Sequence, residues 1–88
     1  MQLTFTHKKK NISVDYEGGN GHAILYSVPK TYSDDGYCVA VWQDTEIEPA
    51  PSCAVGSEKV LCRVRLESGQ DGIVLKIVES NEGATCHG

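Results

Sequence analysis

The sequence predicts an all-β domain: about six short antiparallel strands in a small sandwich or barrel, stapled by disulfides. Three observations carry that expectation. Residues 59–79 hold two apolar, β-branched runs separated by Ser-Gly-Gln-Asp-Gly, the layout of a hairpin with a longer loop. Period-two alternation recurs elsewhere, whereas no stretch keeps a 3.6-residue period beyond about two turns. Four cysteines in 88 residues give an even count in a chain with room for only a thin core.

Taken in order, the first element begins at Gln2. Leu3 and Phe5 fall on one face of a strand, with Gln2, Thr4 and Thr6 on the other. Residues 11–16 repeat the alternation with Ile12, Val14 and Tyr16. Lys8, Lys9 and Lys10 lie between and mark the turn of a first hairpin, where charge also discourages edge-to-edge pairing. Residues 17–22 are rich in glycine but lack both the spacing of a P-loop and a following helix, so they read as a turn.

Residues 23–28 form the third strand, stopped by Pro29. Asp34-Asp35-Gly36 then signals a turn. The fourth strand covers residues 37–43, with Tyr37, Val39 and Val41 opposite Cys38, Ala40 and Trp42. Apolar groups on both faces predict a central position, and Trp42 is expected in the core. Residues 44–57 hold Pro49, Pro51, Cys53 and Gly56 and cannot be a central strand. A loop that long in so small a domain is expected to be functional or tied down.

In the fifth strand Val60, Cys62, Val64 and Leu66 oppose Leu61, Arg63 and Arg65. The sixth is apolar on both faces except at Lys76, which predicts that it is central and deeply covered. Residues 80–88 read as a polar tail anchored by Cys86. The whole is one domain, residues 1–88.

None of the cysteine spacings is Cys-x-x-Cys, which argues for disulfides over zinc or a redox motif. Of three possible connectivities, like environments favour Cys38–Cys62 between strands and Cys53–Cys86 clamping the tail to the long loop. Residues 11–13 form an N-glycosylation sequon. Residues 1–13 contain no apolar signal core, so a secreted reading requires a mature form with Met1 added; a native Met1 would make the chain cytosolic. No run reaches the ~18 apolar residues of a membrane helix.

The net charge of −4 argues against nucleic acid as the main ligand. Residues 31–58 carry six carboxylates and no Lys or Arg, the rest all eight bases against six acids. Asp44, Glu46 and Glu48 in this acidic middle, and the Lys8, Lys9, Lys10 turn, are the candidate partner-binding residues. His7, His22 and His87 show no spacing that implies a shared catalytic site. Gly-x-Ser-x-Gly and His-Glu-x-x-His are both absent, and no catalytic residue, metal ligand or cofactor is predicted.

In layout, with Cys38, Cys53, Cys62 and Cys86 among six strands, the chain resembles the small secreted cysteine-stapled β proteins of fungi. These include killer-toxin-type proteins and plant-pathogen effectors built as six-stranded sandwiches. The resemblance implies a secreted monomer that acts as an effector or toxin by binding a host or competitor protein, inside host cells in some cases. Strand edges and loops would make the contact, with the first hairpin as the expected free edge. Two alternatives stand beside it: an intracellular acidic inhibitor of phage or bacterial type, and a protease inhibitor presenting the loop from Glu48 to Cys53.

Overall fold

Seven strands form two antiparallel sheets in the computed structural model, which describes residues 1–49 and 56–88. The strands are β1 (Gln2–His7), β2 (Lys10–Asp15), β3 (Gly21–Ser27), β4 (Tyr37–Gln43), β5 (Lys59–Gly69), β6 (Gly72–Ser80) and β7 (Thr85–His87). One sheet has the order β2-β1-β7 and the other β4-β3-β5-β6. The architecture is a sandwich; the sheets do not close into a barrel. No helix among the described residues is long and apolar enough to cross a membrane.

The alternation in β1 decides the packing. Leu3 and Phe5 are fully buried and meet Ala23, Leu25, Cys62, Val64 and Leu66 of the second sheet in one cluster. Each of these residues occupies every second position of its strand, so each strand gives one whole face to the core. The first hairpin turns on Lys8 and Lys9, which have φ of 50° and 67°. Two left-handed residues in succession define the tight turn that matches strand twist, and lysine is a poor residue for it. The double substitution Lys8→Asn and Lys9→Gly is expected to stabilise the domain by about 1 kcal/mol. Urea denaturation measures this, and an unchanged or lower midpoint would contradict it.

The tail is a strand. Cys86 pairs with Phe5 across the β1–β7 ladder, so the chain end completes the smaller sheet. The turn before it rests on β5: the Asn81 amide donates to the Leu61 carbonyl at 2.8 Å and Asn81 Nδ2 to the Val60 carbonyl at 3.0 Å. Three residues are too few for alternation to register in a sequence, which is why the tail did not read as structure.

The two outer strands of the larger sheet overturn two expectations. β4 and β6 were both expected to be central, yet they are its border strands, with β3 and β5 between them. β4 is apolar on both faces because each covers a core: Tyr37, Val39 and Val41 pack against the main cluster, Cys38, Ala40 and Trp42 against a second one. β6 is apolar on both faces yet exposes Val74, Ile77 and Val78. The main hairpin exists, but its strands run on to Gly69 and from Gly72, leaving Gln70 and Asp71 as the turn.

Neither predicted disulfide exists. Cys62 and Cys86 are free thiols, Cys38 is disulfide-bonded to neither of them, and Cys53 lies outside the described residues. The physical reason is facial. Cys38 belongs to the cluster on one side of the larger sheet and Cys62 to the cluster on the other, with β3 between their strands. The residues 50–53 of the suggested inhibitory loop are likewise outside the described residues.

Candidate functional site

Strand register lines up Trp42 of β4, His22 of β3, Arg65 of β5 and Lys76 of β6 as successive cross-strand partners. They run in one row across the sheet face that looks away from the smaller sheet. The row holds two fixed cations and a histidine, and carboxylates from its flanks neutralise them.

Asp44, one residue beyond β4, places Oδ1 at 3.0 Å from His22 Nε2 and Oδ2 at 3.1 Å from Arg65 Nη2. Glu67, two residues along β5, lies 3.3 Å from Arg65 Nε and 3.1 Å from Lys76 Nζ. Arg65 thus bridges the two acids with separate edges of its guanidinium, a use of its fixed donor fork that lysine could not reproduce. The pull of Lys76, through its hydrogen bond and then its charge, holds the Glu67 carboxyl below the ordinary glutamate range, with Arg65 adding to it.

His22 Nε2 has two neighbours, Asp44 Oδ1 at 3.0 Å and Arg65 Nη1 at 3.2 Å. One nitrogen cannot donate to the acid and accept from the guanidinium together. An ionised carboxylate only accepts, so the proton belongs on Nε2 and the Arg65 approach is a contact. The imidazole also stacks on Trp42, with ring centroids 5.2 Å apart and planes at 24°. A second group lies one step along the sheet, where Arg63 is 3.8 Å from Glu48 and 3.7 Å from Glu79.

Local structure fixes this end of the sheet. Asn20 Oδ1 accepts from the Ser68 amide at 2.7 Å, and the Asn20 carbonyl accepts from the Asp44 amide at 2.9 Å. The glycine-rich loop therefore ties β5 to the residue that carries the carboxylate. Gly21 is required by space: a Cβ there would run into the Trp42 carbonyl and the Tyr16 hydroxyl.

The sequence-predicted binding residues divide between two ends of the molecule. Asp44 joins the row and Glu48 the Arg63 group, while Glu46 accepts from the Gln43 amide at 2.9 Å and holds the turn after β4. Lys8, Lys9 and Lys10 are exposed at the other end, where His7, opposite Lys10, meets Tyr37 at the start of β4. They share no surface with the acids of residues 44–48. The histidines are equally dispersed. His7 is buried with Nδ1 at 2.7 Å from the Tyr37 hydroxyl and Nε2 without a partner among the described residues, while His87 is exposed on β7.

The ladder itself escaped sequence reasoning. His22 read as a loop residue, and Arg65 and Lys76 as the polar positions of a hairpin. Register alone makes them neighbours. No cavity is present among the described residues, and no group of three or more potential metal ligands occurs there. What the arrangement offers is a charge-balanced row of side chains beside an apolar border strand. No family model, curated protein or solved structure matches the chain.

Proposed function

We propose that the protein is a secreted protein-binding module, of effector or toxin type, that engages a host or competitor protein by adding a partner strand to β6. The observation that carries this reading is the exposure of Val74, Ile77 and Val78, at 49%, 44% and 63%, on a border strand. Apolar side chains that remain accessible beside backbone donors and acceptors with no partner strand among the described residues suit an incoming strand, which gains main-chain hydrogen bonds and side-chain burial together.

The same strand limits the contact. A register shift between Arg63 and Val64 leaves Val78 as an extra residue opposite β5, so the edge is regular over residues 72–77 and then kinks. Lys76 stands in that regular stretch, already paired to Glu67. A partner strand of about six residues fits, apolar where it meets Val74 and Ile77. The row from His22 to Lys76 would border the contact as a polar rim, which favours correct register more than raw affinity.

The test compares capture of a defined partner from a presumed host extract by the wild type and by the Val74→Asp/Val78→Asp variant. Both side chains are exposed, so the variant is expected to keep its far-UV circular dichroism. It is expected to lose at least about tenfold in affinity, since each buried apolar anchor contributes more than about 1 kcal/mol. Capture that survives this variant but fails when Lys8, Lys9 and Lys10 become serine would move the contact to the first hairpin.

A further inference from the structure

We propose that Cys62 and Cys86 are the two halves of a disulfide that fastens the terminal strand β7 to β5 and so joins the two sheets. Three observations converge on the pair. Both side chains are buried in the same cluster between the sheets, Cys62 from the larger and Cys86 from the smaller. A short path of contacts connects them: Cys62 is the cross-strand partner of Ser80, whose hydroxyl donates to the Ala84 carbonyl, and Cys86 is two residues further on. The turn between β6 and β7 is pinned to Leu61, the residue before Cys62, by the Asn81 amide. At this corner β7 is in contact with both β5 and β6, so the strands that carry the two cysteines lie against each other.

The remaining sulfur chemistry leaves these two for each other. Cys38 is disulfide-bonded to neither, and its side chain lies on the opposite face of the larger sheet. The ionic influence of Cys62 on Cys86, second only to burial in raising the Cys86 thiol, agrees with their being neighbours.

Closure is a thiol–disulfide exchange with a small disulfide such as glutathione disulfide. The thiolate of one cysteine attacks it, forming a mixed disulfide and releasing one glutathione thiolate. The second cysteine then attacks the protein sulfur of that mixed disulfide and releases the other glutathione. The protein loses two hydrogens and two electrons, and one glutathione disulfide becomes two glutathiones. Burial keeps both thiols protonated in the folded chain, so exchange proceeds during folding or when the three-residue β7 opens.

Trypsin resolves the question because it cuts after Lys30, Lys59, Arg63 and Lys76. Cys62 then lies in peptide 60–63, Cys86 in 77–88, and Cys38 with Cys53 in 31–59. The reduced chain is refolded with glutathione and glutathione disulfide, alkylated with iodoacetamide and digested without reduction. The expected product joins 60–63 to 77–88, two hydrogens lighter than their sum, and disappears in the Cys86→Ser variant. The same digest of the folded, reduced protein after overnight exposure to glutathione disulfide should show the link forming slowly. Alkylated Cys62 and Cys86 in the refolded protein, or a link from either peptide to 31–59, would overturn the proposal.

Discussion

Phe5→Ala is expected to remove most of the stability of the domain. Phe5 is fully buried at the centre of the smaller sheet, flanked by Ile12 on β2 and Cys86 on β7, and it faces the core shared by both sheets. Truncating a buried phenylalanine to alanine costs about 3–5 kcal/mol, from lost transfer energy and from the cavity left behind. A domain this small has about 5–10 kcal/mol in total. The urea midpoint should fall by roughly half or more with little change in slope. Phe5→Leu, which keeps most of the volume, should cost much less. A loss below about 1 kcal/mol for the alanine variant would mean that the smaller sheet does not cover the larger one as described.

The second large effect is alkaline destabilisation of the reduced protein. Burial, and then the charge of Glu79, raises the Cys62 thiol; burial, and then the charge of Cys62, pushes Cys86 up to about 12. The unfolded chain gives up these protons near the ordinary thiol value of 9.0, before the folded chain does. Between pH 9 and about 12 the unfolded state therefore binds fewer protons, and stability falls as pH rises. Below pH 9 the contribution is fully present. For Cys86 the slope should be on the order of 1 kcal/mol per pH unit, and Cys62 adds a loss of the same sign. Burial also raises the Tyr16 and Tyr26 hydroxyls, which adds a loss of the same sign above pH 10. Denaturation midpoints from pH 8 to 11 measure the effect. In the Cys62–Cys86 disulfide form the part contributed by the thiols should vanish, leaving that of the tyrosines.

The sequence announces strands more clearly than it announces their neighbours. β4 is legible to the residue because seven alternating positions stand between Gly36 and Asp44, and β1 because Leu3 and Phe5 alternate with threonines. Position within the sheet is another matter. A strand that is apolar on both faces can be central, as β3 is, can border two cores, as β4 does, or can carry a bare face, as β6 does. Composition is similar in all three, and the difference lies in what the rest of the chain places over them.

Bulges account for much of the remainder. Shifted pairing between Leu25 and Tyr26 turns Leu61 into an extra residue that joins the main core, although simple alternation assigns it to the face of Arg63. The matching shift at Arg63 and Val64 makes Val78 an extra residue that stays exposed, and bends β6. Both shifts lie beyond the row Trp42–His22–Arg65–Lys76, which needs instead the order of the strands and the face that each residue takes in it. The cysteines failed for the same reason. Likeness of local environment suggested Cys38 with Cys62, whereas the decisive fact is which side of the sheet each occupies.

Amide hydrogen exchange, read residue by residue by NMR, tests most directly the central claim that β6 is a border strand left open. The slowest amides should belong to β3 and β5, whose backbones are paired on both sides, while every second amide of β6 should exchange orders of magnitude faster at any protein concentration. Uniformly slow exchange along β6, matching that of β3, would show the edge already occupied and would contradict the account.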